Sequence, residues 1–141
     1  MLLERIQQNA SLLAKHPAYR CGEDSLTYSQ LWNAASLLAA QLQDSAGAVA
    51  LIGTKQPMMA VGMLGSLLAG RPYLPLSSDQ PKERLQRILS QANPGTVIDC
   101  REIKAEQWLK REPATQNFLI PGDPSRDAYW LFTSGSSGSP K

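Results

Sequence analysis

The chain has 141 residues, and its 14 Lys and Arg against 12 Asp and Glu leave a formal net charge of +2. Hydrophobic residues make up 43% and charged residues 18%, an ordinary globular balance that excludes disorder driven by charge and low hydropathy. No basic run exceeds Lys110-Arg111, so neither a nucleic acid nor an anionic membrane is expected as a partner.

The N-terminus, MLLERIQQN, carries charge among its first residues and lacks an apolar core behind a basic start. It does not read as a secretion signal. Residues 2–15 place Leu2, Leu3, Ile6, Ala10 and Leu13 at spacings of three and four, which predicts an amphipathic helix ended by Pro17. A polar segment over residues 19–25 leads into Thr27 and Gln30, a capping box for the next helix. Leu31, Ala35, Leu38 and Leu42 form that helix's apolar stripe, which runs out at residues 44–47.

Residues 48–52 are a short continuous apolar run, the signature of a parallel strand covered on both faces. Pro57 then opens a helix at the position that tolerates proline, and residues 58–69 are apolar nearly all round up to Gly70. The stretch 57–70 is shorter than the roughly 20 residues of a bilayer span. Met58, Met59 and Met63 are core filler there, and Gly62 and Gly65 let the helix pack closely. Residues 73–76 read as a strand, 79–92 as a helix with Leu85, Ile88 and Leu89 inward, and Asn93-Pro94-Gly95 as its stop. A strand at 96–99, a short helix at 102–111 around Trp108, a polar stretch at 114–126 and a strand at 128–132 follow. Strands alternating with helices predict an α/β fold, a parallel sheet of βαβ units flanked by helices.

Cys21 and Cys100 lack any partner at ligand spacing, so a zinc site is excluded and two inert thiols in a cytoplasmic protein are expected. His16 precedes Pro17 with no carboxylate or nucleophile beside it and receives no role. Trp32, Trp108 and Trp130 are read as core or near-surface aromatics.

The last nine residues, Thr133-Ser134-Gly135-Ser136-Ser137-Gly138-Ser139-Pro140-Lys141, follow an apolar strand directly. Glycines let backbone N–H groups approach an anion, hydroxyls add donors, and lysine adds a point charge, which is the physics of a phosphate cradle. On composition alone such a run fits a flexible linker or an expression scar better. Neither the Walker order nor the dinucleotide G-x-G-x-x-G order is present.

The order of residues decides further. Phe132 to Lys141 resembles the phosphate loop of adenylate-forming enzymes, the superfamily of acyl-CoA synthetases, luciferases and nonribosomal peptide synthetase adenylation domains. Its usual form is Thr-Ser-Gly-[Ser/Thr]-Thr-Gly-x-Pro-Lys after an aromatic residue, and Ser137 here keeps the hydroxyl of the second threonine. Leu26-Thr27-Tyr28 with Gln30-Leu31 is similar to the family's "LTYxEL" helix entry. Residues 67–76, with Leu68, Arg71, Pro72 and then Ser77 departing, are similar to its "LKAGGAYVPLDP" segment. Pro81 to Leu85 matches "PxxRL" of aminoacyl-activating members, and Asp123-Pro124 to Ala128-Tyr129 resembles the lead into the loop.

The resemblance implies a ligase that activates a carboxylate, here an amino acid, with ATP and Mg2+, releases pyrophosphate, and transfers the acyl group to a carrier protein's phosphopantetheine thiol. By carry-over, Thr133, Ser134, Gly135, Ser136, Ser137, Gly138 and Lys141 hold the phosphates. An acyl-CoA or acyl-carrier-protein ligase shares this loop, and a non-catalytic α/β module with a Ser/Gly tail is the reading from another class. The family's adenine, ribose, magnesium and carboxylate motifs and its small C-terminal domain lie beyond this loop. Residues 1–141 are therefore expected to be an incomplete N-terminal portion of an adenylation domain, inactive alone. An exposed loop ending in lysine suits truncation or a trypsin-like nick, with a second fragment completing the fold.

Overall fold

The computed structural model describes residues 2–21 and 24–102. Their elements in chain order are α1 (Leu2–Leu12), β1 (Pro17–Cys21), β2 (Asp24–Thr27), α2 (Tyr28–Leu42), β3 (Val49–Gly53), α3 (Pro57–Leu68), β4 (Tyr73–Ser77), α4 (Lys82–Ala92) and β5 (Thr96–Asp99). Beyond Glu102, the helix expected over 102–111 lies outside the described residues, as does the strand over 128–132.

β3 is the axis of a parallel sheet ordered β4-β3-β5. It pairs with β4 from Val49↔Tyr73 to Gly53↔Ser77 and with β5 from Val49↔Thr96 to Ile52↔Asp99. All five of its residues are buried, as the continuous apolar run predicted. Its side chains alternate between two faces. Val49 and Leu51, with Ile98, join the core built by α1, α2 and α3. Ala50 and Ile52, with Leu74 and Leu76, meet Ile88 of α4 on the other face. The α/β reading with helices on both sides of a parallel sheet therefore holds.

The capping box forms as read: the Gln30 amide donates to Thr27 Oγ1 at 3.1 Å, and the Thr27 amide donates to Gln30 Oε1 at 3.0 Å. Leu31, Ala34, Ala35, Leu38, Ala39 and Leu42 bury the stripe of α2. α3 is apolar all round because it packs on two sides. A Cβ at Gly62 would stand 2.7 Å from Leu51 Cδ2, and one at Gly65 would stand 2.9 Å from Leu38 Cδ2 and 3.1 Å from the Ala35 carbonyl. α4 ends where Asn93 adopts a left-handed φ of 46°, a conformation asparagine tolerates better than most residues.

Two features differ from the sequence reading. Residues 17–21 and 24–27 pair as the antiparallel strands of a hairpin, β1 with β2, with an irregularity between Pro17 and Tyr19. Arg20 and Ser25 are exposed while Leu26 is buried, so the strands are too short and too wet to show clear alternation. α1 stops at Leu12, and Leu13 turns outward, 39% exposed. The carbonyls of Ala14 and His16 instead accept the amides of Ser29 and Tyr28, the first residues of α2, whose N–H groups have no partner within the helix.

Arg71 stands where the resembling family usually has glycine, and its side chain is 5% exposed. Its guanidinium donates to the carbonyls of Gly47 (2.8 Å), Ala46 (3.1 Å), Leu42 (3.2 Å) and Ala48 (3.4 Å) and to the Thr96 hydroxyl (2.9 Å). Burial pushes its pKa down, yet a guanidinium keeps its proton in a protein. The Leu42 carbonyl belongs to the last turn of α2, where the negative end of the helix dipole favours a cation. Gly47, at φ +88°, and Gly95, where a Cβ would fall 1.8 Å from the Ala46 carbonyl, permit the close packing around this clamp.

Two stability outcomes follow. Arg71→Met strands several buried acceptors, at roughly 1–3 kcal/mol for each one left without water, so native-state hydrogen exchange of the β3 amides should report a loss of at least about 2 kcal/mol. Gly65→Ala should cost about 1–3 kcal/mol by the same measurement through overpacking against α2; an unchanged exchange rate would contradict the two-sided packing of α3.

Candidate functional site

The sequence-predicted site residues, Thr133, Ser134, Gly135, Ser136, Ser137, Gly138 and Lys141, lie outside the described residues. The described residues instead build the carboxyl edge of the sheet. β3 exits into α3 on one face and its neighbour β4 exits into α4 on the other. Adjacent exits that diverge in this way leave a crevice at the strand ends, the place where open parallel sheets bind ligands.

A cavity of about 390 Å³ occupies that crevice. Met59, Met63, Pro75 and Leu76 supply an apolar floor, and Thr54, Lys55, Ser77 and Asp79 bring hydroxyls and charges of both signs. The backbone between the strands is tied down: the Ser78 amide donates to the Gly53 carbonyl at 3.1 Å, and the Asp79 amide donates to Ser77 Oγ at 3.3 Å. The Thr54 amide donates to Gln56 Oε1 at 2.7 Å, and the Met59 amide donates to the Gln56 carbonyl at 2.9 Å, which starts α3 at Pro57. Gln56 caps no helix amide with its side chain, so the positive end of the α3 dipole faces this edge without a side-chain acceptor from its cap residue.

β5 ends beside the same edge. Asp99 accepts from Arg101 Nε at 2.9 Å and Nη2 at 2.7 Å, and this contact holds its carboxyl below the usual carboxylate range. Cys100 is 1% exposed, and burial, with the Asp99 charge beside it, pushes its thiol up to about 12. It stays protonated near neutrality and is no nucleophile, as its sequence context implied. His16 is exposed. Among the described residues no group of three or more His, Cys, Asp or Glu could hold a metal ion, and no helix is long and apolar enough to cross a membrane.

The arrangement can orient a ligand by charge and hydroxyl contacts; among the described residues it contains no nucleophile paired with a base. Sequence reasoning missed Thr54, Lys55 and Asp79 as cavity residues. Their only signal was position, directly after two strand runs. The structure does bring the family-like segments together: residues 67–76 form the end of α3 and most of β4, and residues 81–85 open α4, so both run into or out of the cavity edge.

Known proteins agree with this architecture. The profile of the family described as AMP-binding enzyme matches residues 6–141. A D-alanine--D-alanyl carrier protein ligase of Staphylococcus aureus (strain MRSA252) is 30% identical over 149 aligned positions, taking in 99% of this chain and 31% of that protein. The chain thus spans about a third of the length of this relative. Among solved structures, the nonribosomal peptide synthetase FmoA3 superposes with a TM-score of 0.80 at 23% identity, over 95% of this chain and 16% of that one. The N-terminal subdomain of Klebsiella oxytoca NpsA, in complex with 3-hydroxyanthranilyl-AMSN, also gives 0.80, at 22% identity, over 99% of this chain and 38% of that one.

The Cys100 environment has a measurable sign. An unfolded thiol ionises near pH 8.5 and the folded one near 12, so its contribution to stability is whole below about pH 8.5 and declines as pH rises towards 12. In a Cys21→Ser background, iodoacetamide at pH 8 should label Cys100 only as fast as the fold opens. Cys100→Ala should flatten the fall of stability between about pH 8.5 and 11; an equally steep fall would place the alkaline transition elsewhere.

Proposed function

The chain belongs to the AMP-binding enzyme family, the adenylate-forming ligases, and on that premise we propose that it serves the activation of a carboxylic acid, an amino acid, by ATP. In the first step a carboxylate oxygen bonds to the α-phosphorus while the bond to the β-phosphate oxygen breaks and pyrophosphate leaves. In the second, the phosphopantetheine thiol of a carrier protein gives up its proton, its sulfur bonds to the acyl carbon, and AMP departs. The observation that carries this reading is the family match across residues 6–141, which includes the loop at 133–141.

Within that reaction residues 133–141 contain the leaving pyrophosphate. The hydroxyls of Thr133, Ser134, Ser136 and Ser137 and the amides around Gly135 and Gly138 donate to β- and γ-phosphate oxygens, and Lys141 supplies a compensating charge. Such a transition state needs charge stabilisation more than covalent help. Mg2+, when bound with ATP, shares the phosphate charge; none of its ligands is assigned to the described residues. The carboxyl edge formed by β3, β4 and β5 is where a doubly wound sheet presents ligands, and the loop follows an apolar run at 128–132 that reads as a strand. Residues 1–141 are the N-terminal portion of the adenylation domain in this proposal. The amino-acid reading rests on the "PxxRL" match at residues 81–85 and on the similarity to the D-alanyl carrier protein ligase.

The test is ATP–pyrophosphate exchange by the protein carrying this chain, against a panel of amino acids and fatty and aryl acids. Exchange driven by an amino acid supports the proposal; exchange driven only by a fatty acid would transfer it to the acyl ligases, and exchange with none would overturn it. Lys141→Ala should lower the exchange rate by about ten- to a hundredfold.

A further inference from the structure

The turn from β3 into α3 is held from three sides. Its start is pinned to the β4 exit where the Gly53 carbonyl accepts the Ser78 amide, and its interior is closed by Gln56 Oε1 on the Thr54 amide. The third tie comes from a distant part of the chain: the Tyr19 hydroxyl donates to the Lys55 carbonyl, 36 positions away. Tyr19 stands on β1, in the hairpin, which shares no strand with the parallel sheet. Its ring is partly buried against the core that α1, α2 and α3 build, so the position of the hydroxyl is set by core packing rather than by the turn.

The tied carbonyl belongs to the peptide link between Lys55 and Gln56, and Lys55, with Thr54 before it, lines the cavity at the carboxyl edge. Lys55 is exposed, with a long side chain that owes its direction to the backbone at its root. We infer that Tyr19 is a positioning residue for this edge: its hydroxyl orients the Lys55 carbonyl and so sets how the Lys55 ammonium leaves the backbone. The bond is solvent-exposed, so water replaces it when the hydroxyl is removed and global stability changes little, while the order of the turn is lost. That separation distinguishes a positioning role from a merely structural one. The activity readout below rests on the proposed function; the exchange readout does not.

Tyr19→Phe, made in the protein carrying this chain, keeps the ring and removes the tie. Amide hydrogen exchange at residues 54–56 should accelerate at least about fivefold while the β3 amides keep their rates. In ATP–pyrophosphate exchange, KM for ATP or for the carboxylate should rise at least about threefold with kcat held within about twofold. Lys55→Ala retains the carbonyl, so its 54–56 amides should exchange as in the parent while KM rises. Unchanged exchange at 54–56 in Tyr19→Phe overturns the inference, and so does faster exchange with both KM values unaltered. If the parent protein exchanges pyrophosphate with no carboxylate, the proposed function falls, and the 54–56 amides still decide whether Tyr19 holds the turn.

Discussion

The close approach of α3 to β3 on one side and to α2 on the other decides where the other described elements lie. A helix that touches two partners at van der Waals contact needs small residues on both lines of contact, and Gly62 and Gly65 occupy them, against Leu51 and against Leu38 with Ala35. Side chains there would push the layers apart and open voids that cores at native density do not tolerate. With α3 seated, α2 is fixed over it, and α1 and the hairpin pack on the same side. The opposite face of β3 is left to α4 through Ile88.

The two ends of the sheet are built for different ends. At the amino edge the Arg71 guanidinium joins the end of α2, the loop before β3 and the start of β5, with Gly47 and Gly95 allowing the backbones to close around it. There the Arg71 guanidinium spends its donors on four carbonyls and one hydroxyl of the protein itself. At the carboxyl edge the exits of β3 and β4 diverge, and the chain leaves a cavity with an apolar floor and a charged, hydroxyl-bearing rim. Hydrogen bonds at the amino edge hold the scaffold together, and tied turns at the carboxyl edge present side chains to the cavity, the division of labour expected when a scaffold holds its functional groups on strand-end loops.

Much of the local structure was legible because it rests on short-range rules. The Thr27–Gln30 box depends on residues three apart, β3 on five buried residues in a row, and α3 on a proline at its first position. The hairpin was illegible because its strands are short and mix exposed, partly buried and buried residues without alternation, so register rather than hydrophobic rhythm defines it. The outward turn at Leu13 follows from the carbonyls of Ala14 and His16 being taken by α2, a contact no local pattern announces. Arg71 looked like a departure from a family pattern, and only its five partners, from residues 23 to 29 positions away, show why a cation is accepted there.

Of the proposed phosphate loop, the sequence alone supplied the residue types, a hydroxyl- and glycine-rich run ending in lysine, and that run lies within the span 6–141 matched by the family profile. It also determined the α/β rhythm, because helix and strand periods are local properties of side-chain placement. Tertiary structure decided what residues distant in the chain do together: which strand is central, that β3 and β4 exit to opposite faces and leave a crevice, and that Tyr19 reaches Lys55. The physical reason is range. Propensity, caps and periodicity act within a turn or two of the chain, whereas strand order, cavities and cross-element hydrogen bonds arise only when distant segments share one core and must satisfy one another's buried polar groups.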